Sequence, residues 1–238
     1  MIAMRQKLLI YFNKIRFCQS ILSIFINPFF LYRFFLFKLI KKFTKKNNSL
    51  KILDVGCGEK LYASYFKSKY YFGIDIPLDF RVNNHIHNPD IIFDGKNFPF
   101  SNNSFDLILL FEVIEHVDIY DEFLYNLSCL LKKKSILLLS TPFFWGLHEE
   151  PFDFQRLSSH KLNKIKYFDN IQCFEIGNIY VSFFQTINSF LYKFSGKKLF
   201  LFFIPLFFFN NICGFLLSFI NSTHKNTFPI GYFCILRK

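Results

Sequence analysis

The chain has 238 residues, a net charge of +12 and 38 phenylalanines, long enough for one well-buried domain with appended segments and short for two full domains. All 17 acidic residues lie between Lys51 and Gly177, while residues 1–50 carry ten Lys or Arg, residues 178–238 carry six, and neither stretch has an acid. The middle therefore holds 13 basic against 17 acidic residues, net −4, which sets an ordinary acidic core between two basic, apolar arms, a pattern that suits anionic lipid headgroups at least as well as nucleic acid.

The N-terminal stretch MIAMRQKLLIYFNKIRF lacks an uninterrupted apolar run followed by a small-residue cleavage site, which argues against a secretory signal. Ile21 to Ile40 is apolar but broken by Pro28, Arg33 and Lys38, and is followed by Lys41, Lys42, Lys45 and Lys46; such a segment suits a helix lying in a membrane interface better than one that spans. From Leu50 apolar runs alternate with helix-compatible stretches, the pattern of an α/β protein built around a parallel sheet. Strands are predicted over Lys51 to Val55, Tyr70 to Asp75, Ile91 to Phe93, Phe105 to Phe111, Ser135 to Ser140 and Ile171 to Gly177. Helices are predicted over Glu59 to Lys67, Asp118 to Lys132 and Ser158 to Tyr167. Leu199 to Ile220 is uncharged and long enough to span a bilayer, though Pro205, Asn210 and Asn211 interrupt it. Phe228 to Leu236 reads as a closing strand, and a single crossing would strand it on the wrong side, so a helical hairpin or lid is expected instead. The resulting division is an N-terminal arm (1–49), a core (50–177), an apolar helical insertion or lid (178–227) and a closing strand (228–238). Six scattered cysteines with no C-x-x-C pair indicate neither a zinc site nor a disulfide framework and fit a reducing cytoplasm.

Four motifs follow in order. Ile52 to Gly58, ILDVGCG, is an apolar strand ending in an acid and a G-x-G turn; small residues at Gly56 and Gly58 let the backbone approach a ligand. A nicotinamide-binding fingerprint would need glycine where Leu61 stands. Seventeen residues after Gly58, Asp75 closes the second strand in YFGIDI, where a carboxylate can accept both hydrogens of a ribose diol. DGKNFPFSNNSFDLILLFEVIEHV runs from Asp94 to Val117, and LLKKKSILLLSTPF from Leu130 to Phe143.

Taken together these motifs resemble the class I S-adenosylmethionine-dependent methyltransferases, except that Lys133 and Lys134 stand where Pro and Gly are usual. HEEPFDFQRLSSHKL, His148 to Leu162, is similar to a loop of the type 11 subgroup often associated with cell-surface polysaccharide clusters. The resemblance implies a Rossmann-like fold: a mostly parallel seven-stranded sheet, helices on both faces and an antiparallel last strand, here with apolar helical arms. It implies S-adenosylmethionine as cofactor, held by Gly56, Cys57 and Gly58 at its amino-acid portion, with Asp54 orienting the turn or the ammonium group. Asp75 and Ile76 would take the ribose, Asp94 the adenine amino group, and Gly95 to Asn97 would offer backbone N–H. Phe111 and Glu112 would line the sulfonium end. Each acid also has a plainer reading: Asp54 as a turn cap, Asp75 as a strand-end carboxylate and Asp94 as an Asx-turn. His116 is read either as a base or as a residue that orients the loop by hydrogen bonding.

His148 is the candidate general base, in a loop after the fifth strand near Glu149, Glu150 and Asp153, where substrate enters a sheet of this type. The spacing H-E-E-P-x-D matches no compact ligand pattern, so no metal is expected. The expected activity is methyl transfer to oxygen on a small-molecule or lipid-linked saccharide acceptor, in the cytoplasm and at the inner face of the membrane, with an anionic membrane surface as a partner. Two rivals stand beside it. RNA methylation is prompted by the net charge but disfavoured because Phe111-Glu112-Val113 is unlike the N-P-P-Y motif of many base N-methylating enzymes. A non-catalytic membrane-associated module of the same fold is prompted by Lys133, Lys134 and the apolar arms.

Overall fold

The computed structural model describes residues 20–44, 49–77, 88–220 and 228–238. They fall into two compact units: Met1–Lys42 with Phe144–Gly146 and Glu175–Gly231, and Phe43–Phe143 with Leu147–Phe174 and Tyr232–Lys238.

Seven strands make one sheet: β1 (Lys51–Val55), β2 (Tyr70–Asp75), β3 (Ile91–Ile92), β4 (Phe105–Phe111), β5 (Leu131–Pro142), β6 (Asn170–Ile176) and β7 (Gly231–Arg237). Their spatial order is β3-β2-β1-β4-β5-β7-β6. The first five are parallel. β7 runs antiparallel to both neighbours, as the bonds Phe144 N–H to Ile230 O and Lys238 N–H to Ser135 O require on one side, and Ile230 N–H to Ile176 O and Asp169 N–H to Arg237 O on the other. Leu107, Ile108, Leu109 and Leu110 of β4 alternate between the faces and are all at most 3% exposed, as expected of a parallel sheet covered on both sides. Phe123, Leu124, Leu127 and Leu130 of α3 (Tyr120–Leu130) recur at helical spacing and pack on Ile108, Leu110, Leu137 and Leu139. The pairing of Asp54 with Gly73 and with Leu109 levels the carboxyl ends of β1, β2 and β4, where an open α/β sheet offers its crevice.

Two predicted helices shrink to single turns. Over Glu59 to Lys67 the helix is confined to α2 (Ala63–Phe66), because Lys60 and Lys67 take left-handed backbone at φ 55° and 44°. Over Ser158 to Tyr167 it is confined to α4 (Ser159–Leu162), after which the chain turns so that Ile165 and Phe168 are both buried. β5 starts at Leu131 rather than Ser135, and its pairing with β4 jumps from Phe105↔Leu131 to Leu107↔Ile136. Lys134 takes φ 62° in that irregularity. Cys173 and Cys234 are bonded to each other, contrary to the expectation of no disulfide: 61 residues apart in sequence, they face one another on β6 and β7 with Cα atoms 4.2 Å apart.

The other unit is helical: a 3-10 turn over Ile21–Phe25, most of α1 (Phe30–Phe43), and α5 (Ile179–Leu217). α5 is two helices joined by a kink at Gly196, whose φ 51° and ψ −161° only glycine adopts readily. The second half folds back along the first. Asn188 donates to Asn211 Oδ1 at 2.9 Å and accepts from Asn210 Nδ2 at 3.0 Å, and Asn178 Nδ2 donates to Ser218 O at 3.1 Å. Asn211 Nδ2 also reaches the carbonyls of Ile24 and Asn27, both at 2.9 Å. Gln185 donates to Pro28 O and accepts from Tyr32 N–H. Phe29 lies against Trp145 and Tyr192. Leu201, Phe202, Phe209, Phe190 and Phe194 remain exposed.

Candidate functional site

At the end of β1 the chain turns through Gly56 (φ 69°) and Gly58 (φ 51°). The turn is tied to β2: Gly56 and Cys57 N–H donate to Ile74 O at 2.9 and 3.1 Å, and Gly58 N–H to Asp75 Oδ2 at 2.8 Å. The glycines serve different needs. A Cβ on Gly56 would sit 2.3 Å from Val113 Cγ2, whereas one on Gly58 would meet no atom within 4 Å. Gly56 thus admits the loop after β4, and Gly58 leaves open space for a ligand to approach the backbone.

Asp75 is buried at the end of β2; its Oδ1 accepts the N–H of Ile76 at 2.9 Å. Asp54, also buried, accepts from the Tyr71 hydroxyl. Burial raises its pKa to about 7; the Tyr71 bond works against that rise and the Asp75 charge adds to it. Burial, then Asp54 and Asp75, push the Cys57 thiol up, so Cys57 is a neutral thiol filling space in the turn. Asp90 joins this group: it accepts from Gly73 N–H at 2.7 Å and pairs with Lys60. The sequence reading missed Asp90, and nothing in its spacing marks it.

Asp94 is exposed and turned into its own loop, with Oδ1 accepting from Lys96 and Asn97 N–H at 2.8 and 2.7 Å and Oδ2 from Asn97 Nδ2 at 2.6 Å. Those bonds, Asn97 N–H first, hold its pKa at about 2. The Asx-turn geometry is thus present at the position assigned to adenine. Gly95 stands beside Ile76, whose Cγ2 would lie 3.4 Å from an added Cβ, so the ends of β2 and β3 meet there. Phe111 is buried, its ring against Tyr62 at 4.7 Å and Phe233 at 6.1 Å. Tyr62, four residues past Gly58, was not read from the sequence.

After β4, Glu112 takes φ 57°, donates its N–H to Ser140 O at 3.1 Å and accepts from Ser140 Oγ at 2.7 Å. Left-handed backbone at a non-glycine residue is strained and recurs at functional sites. Glu115 and His116 follow in a 3-10 turn, Ile114–His116. Glu115 has no exposed surface, and burial, then the Glu112 charge, raise its pKa well above the ordinary value. His116 Nδ1 bonds Phe152 O at 2.7 Å.

The loop after β5 returns to the same turn. Gln155 Nε2 donates to the carbonyls of Ile114 and Val117 at 3.0 and 2.8 Å, and Phe154 N–H to Glu115 O at 2.9 Å. His148 comes edge-on to His116, ring centroids 4.8 Å apart. Its backbone N–H and Nδ1 both address Asp153 Oδ2, at 2.8 and 3.2 Å, and Arg156 Nη2 holds the same oxygen at 2.7 Å. Burial, then His116, lower the His148 pKa, so its imidazole is neutral at pH 7. Of the acids near His148 in sequence, Asp153 is its bonded partner; Glu115 and His116, more than thirty residues earlier, complete the group.

A family model described as a methyltransferase domain matches residues 30–186, more than half of the chain. An uncharacterised protein of Methanocaldococcus jannaschii is 33% identical over 101 residues, 42% of this chain and 44% of its own length. A ubiquinone biosynthesis O-methyltransferase of Rickettsia bellii is 30% identical over 128 residues, 49% of this chain and 51% of its own. The chain thus spans about half the length of the curated relatives it matches. Among solved structures, a SAM-dependent methyltransferase from Archaeoglobus fulgidus has a TM-score of 0.53 at 14% identity, covering 85% of this chain and 93% of that one. Phosphoethanolamine N-methyltransferase 2 of Haemonchus contortus, in complex with S-adenosyl-L-methionine, gives 0.54 at 19% identity, covering 90% and 55%. The match over residues 30–186 makes the chain a member of the methyltransferase-domain family, with the fold of the class I S-adenosylmethionine-dependent methyltransferases and S-adenosylmethionine as its cofactor.

Proposed function

We propose that the protein transfers the methyl group of S-adenosylmethionine to a hydroxyl oxygen of a small-molecule or lipid-linked saccharide acceptor. The observation that carries the reading is the cradle at the carboxyl ends of β1 and β2: open space at Gly58, bounded by the buried Asp75 carboxylate that fixes the Gly58 N–H. This cradle suits an amino-acid and ribose moiety, and Ile76 beside Gly95 suits a flat base.

The cofactor supplies an activated methyl group, so the acceptor oxygen bonds to the methyl carbon while the sulfur–carbon electron pair stays on sulfur. Little acid–base help is needed for that step beyond alignment in a dry pocket. A hydroxyl acceptor must also lose its proton. His148, neutral and steadied by Asp153 and Arg156, is suited to take it. Support for oxygen as the accepting atom comes from the relative in Rickettsia bellii, described as an O-methyltransferase. The net −4 of residues 51–177 weighs against a nucleic-acid phosphate backbone as the substrate surface.

Calorimetric titration with S-adenosylmethionine and S-adenosylhomocysteine tests the reading. Saturable binding is expected, weakened at least tenfold by Asp75→Ala; a folded protein that binds neither compound removes the enzyme and leaves the non-catalytic module.

A further inference from the structure

The carboxylate of Glu115 and the imidazoles of His116 and His148 converge, their ligand atoms all within 4.8 Å of one another. Glu115 Oε1 is fully buried, accepts no hydrogen bond, and faces His116 Nε2 at 3.8 Å. A buried carboxylate oxygen left without a donor is costly unless something at the site satisfies it. Its other oxygen receives a long contact from Thr141 Oγ1 at 3.5 Å.

The two rings are set alike. His116 Nδ1 lies 2.7 Å from Phe152 O, an acceptor, so Nδ1 carries the proton and Nε2 the lone pair. His148 Nδ1 lies 3.2 Å from Asp153 Oδ2, which gives the same tautomer. A ring nitrogen that donates to a carbonyl or carboxylate while its opposite nitrogen keeps a lone pair is how protein imidazoles are prepared to bind a metal.

We propose that Glu115, His116 and His148 hold one divalent first-row transition ion, zinc foremost. Two imidazoles and one carboxylate favour such an ion over magnesium or calcium, which prefer all-oxygen shells. Ligand atoms around tetrahedral zinc lie roughly 3.4 Å apart, so binding draws the three side chains inward. Three protein ligands leave a position open, and on the methyltransferase reading above, on which this role rests, an acceptor hydroxyl fills it. The ion would acidify that hydroxyl so that its proton passes to solvent water, and His148 would then be a ligand rather than the base. The sequence conceals the group because Glu115 and His116 lie far before His148 in the chain, on the turn after β4.

The test is titration of the full chain, stripped with chelator, with Co²⁺ read by visible absorption and with Zn²⁺ read by competition. One equivalent per chain is expected. His148→Ala and Glu115→Gln should each weaken it more than tenfold, and Asp153→Asn should weaken it by about 10–100-fold through the His148 ring. Folding of each variant is checked by circular dichroism, and S-adenosylmethionine is titrated into the same samples. Folded wild-type protein that takes up no stoichiometric ion, or uptake indifferent to all three substitutions, overturns the site. Cofactor binding without ion uptake defeats the metal site alone, whereas ion uptake without cofactor binding upholds it and defeats the methyltransferase reading.

Discussion

Asp54 is a carboxylic acid whose proton binds more tightly in the folded chain than in the unfolded one, its pKa raised from 3.8 to about 7 by burial. Between those values the folded state holds the extra proton, so stability from this residue is full below about pH 4 and is lost as pH rises through 7. Asp54→Asn keeps an oxygen for the Tyr71 hydroxyl and removes the titration. The variant's stability relative to wild type should therefore grow from pH 4 to pH 8, by on the order of 4 kcal/mol, measured by urea unfolding at each pH. A difference that stays flat with pH would show that Asp54 does not titrate there. At this scale the sequence is readable where partners are close in the chain or fixed by motif spacing: Gly56, Gly58 and Asp75 meet as their spacing implies. It is not readable for Tyr62 or Asp90, whose contacts with Phe111 and Gly73 depend on how the sheet is assembled.

Within the helical hairpin of α5, Asn211 is the polar knot. Its amide serves Asn188, Ile24 and Asn27 at once, and the residue has no exposed surface. Asn211→Leu would take the acceptor from the Asn188 amide and the donor from the Ile24 carbonyl, each a loss of roughly 1–3 kcal/mol, while Asn27 O keeps the Phe30 N–H. Destabilisation of about 2 kcal/mol or more is expected in denaturant unfolding, and a variant as stable as wild type would show that these bonds do not hold the hairpin. In the linear sequence Asn210 and Asn211 are only interruptions of an apolar run; their partners lie on other helices and turns. The strands β1, β2 and β4 are legible because each is a short apolar run bounded by turn residues. The single-turn α2 is shorter than its spacing predicts because helical spacing carries no sign of the left-handed Lys60 and Lys67.

For the whole molecule, the basic, acid-free residues 178–238 include exposed aromatic side chains: Phe202 is 77% exposed and Phe194 67%. Leu199–Leu217 is long and apolar enough to cross a membrane, and 28% of it is buried. We propose that this surface rests on anionic lipid. Co-sedimentation with vesicles containing phosphatidylglycerol is expected, reduced several-fold by Phe202→Ser/Phe194→Ser and weakened by salt; equal recovery with neutral and anionic vesicles, or none, sinks the proposal. The fold was legible at this scale because four motifs fall in one order. The Cys173–Cys234 pair was not, since it exists only once β6 and β7 are neighbours.

The placement of β7 between β5 and β6 governs when the sheet can be finished. On the ribosome, β1 to β5 emerge first and can pair with one another, but one edge of β5 stays unpaired until residues 231–237 have been made. At roughly 5–20 residues per second, the nearly 90 residues between β5 and β7 hold that edge open for several seconds, next to a nascent segment rich in phenylalanine. An open strand edge beside apolar chain invites aggregation, so slower growth or a chaperone during synthesis should raise the yield of folded protein more than any change to the finished core.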